Sequence, residues 1–115
     1  MTEFVNLTWH TLSFVVEGKT INIEPSGKVA RVPCKEIVSG HEVIQGEAVP
    51  ITTVRYMNRV ENLPEPKTGV VYIASSKCAE IARRGDVMSP NTNSKFRVTD
   101  ENGKIIGCTA LQRWV

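Results

Sequence analysis

Five consecutive apolar residues, Val70-Val71-Tyr72-Ile73-Ala74, set the firmest constraint on what this chain can become. A strand with one wet face alternates polar and apolar positions, whereas a near-continuous apolar run describes a strand buried on both faces. The chain has 115 residues, so that strand belongs to one core. A domain this size buries roughly 65% of the surface its unfolded chain exposes, which needs no covalent staples. A single domain spanning 1–115 is the expectation.

The pattern changes at Ser75. Ser75 and Ser76 offer a hydroxyl to cap a helix. Cys78, Ile81 and Ala82 then share one helical face, and Glu80 can pair with Arg84 four residues on. Gly85 makes a natural stop. The spacing predicts one helix, at about 76–84.

The rest reads as strands and turns. Phe4–Leu7 is a short extended segment. Leu12–Val16 and Lys19–Ile23 flank Glu17-Gly18, a hairpin signal. Lys28–Val32 is a further strand candidate, and the stretch between Pro33 and Pro50 suggests a looser hairpin. Ile51–Val60 is the longest candidate, with Arg55 and Arg59 on one face. Leu63-Pro64-Glu65-Pro66 belongs to a stiff loop, because each proline fixes φ and restricts its predecessor. Asp86–Ser94 reads as a polar loop. Lys95–Thr99 and Lys104–Leu111 flank Asp100-Glu101-Asn102-Gly103, the strongest turn signal in the chain. The total is seven or eight strands and one helix: an α+β domain, mostly antiparallel. Short strands leave edges that proteins blunt or pair, so homo-oligomerisation is expected.

Composition excludes several classes. A net charge of +2 with dispersed basic residues argues against a nucleic acid polymer as partner. No apolar run approaches the ~18 residues that span a bilayer. The opening Met1-Thr2-Glu3-Phe4 lacks the basic start of a signal peptide, so a soluble, cytosolic protein without membrane association is expected. Three dispersed cysteines, Cys34, Cys78 and Cys108, form neither a disulfide framework nor a metal motif with His10 and His41. They read as reduced, buried thiols.

Catalytic chemistry finds little support. Ser75-Ser76 follows a buried strand and opens a helix, but no glycines make a nucleophile elbow around it. Cys78 lies on the apolar helix face, where a thiol is inert. Glu65, Asp86, Asp100 and Glu101 show no spacing that ties two of them together for acid–base work. There is no phosphate-binding loop motif, yet arginines suit phosphate. Arg55 and Arg59 on a strand face, Arg97 between Phe96 and Val98, and the N–H groups opening the helix compose a candidate site for a phosphate-bearing small molecule. Tyr72 or Tyr56 would stack on its base.

Three phrases taken together add a resemblance that runs over most of the chain. Asn6-Leu7-Thr8-Trp9-His10, Leu63-Pro64-Glu65-Pro66 leading into Gly69-Val70-Val71-Tyr72-Ile73, and Asp100-Glu101-Asn102-Gly103-Lys104-Ile105-Ile106-Gly107-Cys108 resemble small proteins of phages and prophages, in particular the anti-Thoeris sponge proteins. That resemblance implies a host–virus role in the host cytoplasm, where such proteins sequester a cyclic ADP-ribose isomer without degrading it. Some of them also hold cyclic oligonucleotides of the anti-CBASS kind, and they form dimers or hexamers. Two positions depart from the family pattern. Trp9 replaces a usual proline, and Thr99 stands where an arginine often precedes Asp-Glu-Asn-Gly. If that arginine clasps a phosphate in relatives, the role would pass here to Arg97 or Arg113.

The expectation is therefore a binder of a cyclic nucleotide signal, with no catalytic residue, no cofactor and no metal. Its candidate ligand contacts are Arg55, Tyr72, Asn91, Arg97 and Asp100. Since so small a domain cannot hollow out its own core, the pocket is expected between protomers of a homo-oligomer. The competing readings are a protein–protein antagonist or phage accessory protein acting through strand edges, and a small nucleotide hydrolase.

Overall fold

The computed structural model describes residues 2–115. In chain order the strands are β1 (Glu3–Asn6), β2 (Leu12–Val16), β3 (Lys19–Ile23), β4 (Cys34–Ile44), β5 (Glu47–Tyr56) and β6 (Val70–Ile73). The helix α1 (Ser76–Ala82) follows, then β7 (Val87–Pro90), β8 (Arg97–Thr99), β9 (Ile105–Cys108) and β10 (Leu111–Arg113). The chain is thus mostly β with one short helix, the α+β class read from the sequence. Among the described residues no helix is long and apolar enough to cross a membrane.

The apolar run does become a central strand. β6 lies between β1 and β7 in a four-stranded sheet of order β1-β6-β7-β10. It pairs in parallel with both neighbours, while β7 and β10 are antiparallel. A second sheet, of order β3-β2-β9-β8, is antiparallel except where Phe14 meets Cys108 across β2 and β9. Antiparallel pairing predominates over the whole chain, but the core sheet is mixed. One apolar cluster gathers Leu7, Ala30, Val70, Tyr72, Ala74, Cys78, Ala79 and Val87. Leu12, Phe14, Ile73 and Cys108 form a second.

Turn chemistry explains the hairpins. Glu17 and Gly18 have φ of 50° and 77°, and Gln45 and Gly46 have 50° and 83°. Two successive left-handed residues match the twist of the flanking strands, which is why each pair closes a two-residue connection. The Asp100 turn is longer. The Asp100 carboxylate accepts hydrogen bonds from the Asn102 and Lys104 amides, each 2.9 Å, and Gly103 takes φ of 82°.

The second hairpin is not loose. β4 and β5 pair from Cys34↔Tyr56 to Ile44↔Glu47, with one irregularity at Ser39. Neither strand packs appreciably on any other element, so they form a free ribbon. The molecule measures 60 × 39 × 25 Å with a radius of gyration of 17.7 Å. A compact domain of this length would have about 13 Å.

Four local expectations need correction. Lys28–Val32 is not a strand: apart from a single bridge, Arg31 to Glu61, it runs irregularly past Leu7. β5 ends at Tyr56 rather than reaching Val60: the Met57 amide still donates to the Pro33 carbonyl at 2.8 Å, but proline has no N–H to continue the ladder. The supposed polar loop after Asp86 begins with β7, whose Val87 and Ser89 are buried; Ser89 keeps its polarity satisfied by accepting from Trp114 Nε1 at 2.9 Å. The helix stops at Ala82, with Arg83 itself taking the left-handed cap at φ 48°. Arg84 consequently turns away from Glu80 and bonds Asp86 instead.

Candidate functional site

A cleft of about 550 Å³ opens where the two sheets, the helix start and the root of the ribbon meet. Its floor is apolar, with Leu12, Phe14 and Cys108, and its rim carries Trp9, His10, Arg31, Tyr56, Lys77 and Thr92.

Trp9 is presented by a tight turn that Asn6 organises. Asn6 is almost wholly buried at the end of β1, yet each polar atom of its side chain is matched. Its Nδ2 donates to the His10 and Ile23 carbonyls, both at 2.9 Å. Its Oδ1 accepts from the Thr8 amide at 2.8 Å and the Thr8 hydroxyl at 2.6 Å. Such a network is rigid because any broken member would leave a buried polar group unpaired. The turn lifts the indole of Trp9 out to 79% exposure, tilted against the His10 ring at 5.5 Å. Tryptophan combines a broad apolar face with an N–H donor, so an exposed indole at the mouth of a cleft offers a stacking surface.

On the opposite rim Tyr56 ends β5, and the Lys77 ammonium lies 4.8 Å from its ring centroid. Lys77 forms no ion pair among the described residues, whereas Arg31 bonds Glu61 at 3.0 Å. The lining contains no aspartate or glutamate. Glu24 comes near only by accepting a hydrogen bond from Thr11. Lys77 is therefore the cation that this rim leaves unpaired among the described residues, and it stands beside the Tyr56 ring.

The thiols in this region are quiet. Cys78 donates from Sγ to the Ala30 carbonyl at 3.4 Å, inside the core. Burial pushes the Cys108 thiol up, so it stays protonated at neutral pH. Cys34, expected to be buried, is exposed at the ribbon root. The Ser75 hydroxyl accepts from the Cys78 amide at 3.3 Å and so acts as a helix cap. With seven residues, the helix is too short to serve as an anion site through its dipole.

None of the five expected contacts lines the cleft. Tyr72 is 5% exposed, packed in the core with its hydroxyl donating to the Glu65 carbonyl, so its ring offers no stacking face. Asp100 is committed to its turn. Asn91 accepts from the Asn93 amide at 3.1 Å in the loop after β7. Arg97 is exposed on β8, and Arg55 sits on the ribbon one residue from Tyr56 and on the opposite face. Arg113 and Thr99 are exposed strand ends elsewhere. Alternation in sequence identified Tyr56 as a stacking candidate. Trp9 and Lys77 had no such signal, because only the fold carries them to one opening.

Comparison of the chain with family models, with curated proteins and with solved structures gives no match.

Proposed function

We propose that the chain is a non-catalytic binder of a nucleotide-type signal, a cyclic ADP-ribose isomer or a cyclic oligonucleotide, held in the Trp9–Tyr56 cleft and released unaltered. One observation carries this reading: an exposed indole, fixed by a fully bonded buried turn, stands at the rim of a carboxylate-free cleft. Stacking a base on an aromatic ring contributes about 1–3 kcal/mol. Lys77 supplies a cation for phosphate. The cleft volume lies within the 300–1,000 Å³ usual for small-molecule sites. A ligand of about 35 heavy atoms at roughly −0.3 kcal/mol per atom reaches about −10 kcal/mol, tighter than micromolar.

Retention without cleavage fits the same lining. Hydrolysis draws on a positioned base, and no carboxylate stands beside His10 in the cleft to orient it. The resemblance to phage sponge proteins supports a role in an infected host, where stoichiometric capture of a signal silences its receptor.

The test is recovery. The protein is loaded with a cyclic ADP-ribose isomer, freed of unbound ligand, then denatured, and the supernatant is analysed by mass spectrometry. The intact ligand in about equimolar yield is expected; a cleaved product would replace this reading with a hydrolase.

A further inference from the structure

A second depression, of about 260 Å³, opens between β1, the β2–β3 hairpin and the turn into β10. It shares only Phe14 with the Trp9–Tyr56 cleft. The hairpin register builds it. Phe14 stands directly across from Ile21, and the neighbouring rungs of the same face are Leu12 with Ile23 and Val16 with Lys19. Phe4 and Leu111 line the depression from the first sheet. Phe14 is buried as its floor, but Phe4, Val16 and Ile21 are about half exposed. Large apolar side chains left in water around one depression mark a binding surface. No charged side chain lines it among the described residues. Its one hydroxyl, on Thr109, already donates to the Phe96 carbonyl at 3.2 Å. Lys19 ends the apolar series on this face and forms no ion pair among the described residues.

We infer that this depression is a binding site for a free medium-chain fatty acid, with its alkyl chain over Phe14 and its carboxylate at the Lys19 ammonium. Charge and volume together choose the occupant. A lining without charge or free hydroxyl rejects a polar group from the interior, where it would lose its water and gain no partner. The unpaired cation at the end of the apolar series favours an anionic head there. Lys19 is exposed, so the head stays in water and neither charge is fully desolvated. An esterified chain lacks that negative charge, which is why the free acid is the better match. An apolar cavity of about 150 Å³ takes a benzene ring. A depression of 260 Å³ therefore has room for a chain of about eight to ten carbons. The site does not rest on the nucleotide reading of the cleft, because Lys19, Ile21 and Leu111 lie outside that lining.

Amide NMR titration of the full chain with octanoate, decanoate and dodecanoate tests it, at about pH 8 where the carboxylates are ionised. Each methylene taken out of water adds about fourfold to affinity. Decanoate is therefore expected to bind about tenfold more tightly than octanoate, with a dissociation constant below about 1 mM and shifts at Phe4, Ile21 and Leu111. Dodecanoate should gain less than about threefold more, because the depression is then full. K19E is expected to weaken decanoate about threefold or more while leaving decanol within about twofold. I21E sets a carboxylate on the apolar wall and should abolish binding of both. Ile21 and Lys19 are exposed, so near-native melting temperatures report that each variant folds. W9A is expected to bind decanoate as the native chain does, which separates this site from the cleft. No shifts with decanoate at about 2 mM would overturn the inference. So would equal affinity of K19E and the native chain for decanoate, or an affinity that keeps climbing with chain length as in detergent-like adsorption.

Discussion

Arg84 grips Asp86 through two parallel hydrogen bonds, Nε to Oδ1 at 2.9 Å and Nη2 to Oδ2 at 2.7 Å, while Nη1 donates to the Pro64 carbonyl at 3.1 Å. The guanidinium also lies over the Tyr72 ring, 6.0 Å from its centroid. One side chain thus fastens the proline-rich loop to the turn between α1 and β7. The pair is only about a quarter exposed, so solvent weakens it less than a surface pair.

Stability should therefore depend on this carboxylate. The hydrogen bonds from Arg84 hold the Asp86 carboxyl below its ordinary range. A lowered folded value means the contribution is complete above the ordinary carboxylate pKa and is lost as pH falls through the folded one. D86N is expected to cost about 1–3 kcal/mol at pH 7 in urea unfolding, because Arg84 keeps one partner and loses its charge pairing. As pH falls through the lowered folded value, the variant and the native chain should converge.

The Asn6 turn makes a second expectation. N6A removes four hydrogen bonds and strands the Thr8 and His10 backbone groups, at a cost of about 2–4 kcal/mol. Calorimetric melting measures the loss. The emission of Trp9 should change as well, since the turn that holds its indole away from the core is gone.

Gly107 marks where β9 approaches β2. A side chain there would begin 2.8 Å from the Ser13 carbonyl oxygen, a backbone atom that cannot swing aside. G107A is expected to lower stability by about 1–3 kcal/mol through this overpacking. Chemical denaturation of the single variant checks it.

Much of this architecture was legible in the residues. Glu17-Gly18 announced its hairpin because a two-residue loop containing glycine joins two β-rich runs, and Val70–Ile73 announced a buried strand because no charged residue interrupts it. β7 escaped notice because Ser89 and Pro90 suggest a loop; its strand character comes from tertiary pairing to β6 and from Trp114, twenty-five residues away. The ribbon was misjudged for a different reason. Short apolar pairs between glycines suggested a loose hairpin, whereas the two strands pair over nearly their whole length, and among the described residues no strand or helix packs along either face. The site was the least readable part: Trp9, Tyr56 and Lys77 are separated by tens of residues, and only the packing of two sheets brings them to one cleft.

Trp9 separates binding from folding. Because its indole is exposed, W9A should leave the melting temperature of the unligated chain within about 2 °C of native, since surface changes usually stay within ±0.5 kcal/mol. Ligand affinity should fall by about tenfold or more once the stacking face is removed. K77A should weaken binding more at low salt than at high salt.

Titration calorimetry of the native chain with cyclic ADP-ribose isomers and cyclic oligonucleotides, repeated with W9A, bears on folding and binding at once. One of these ligands should bind the native protein with a dissociation constant below about 1 μM, near one per cleft, and measurably weaker to W9A. Heat of binding from none of them, or equal affinity for both proteins, would contradict a base stacked on that indole.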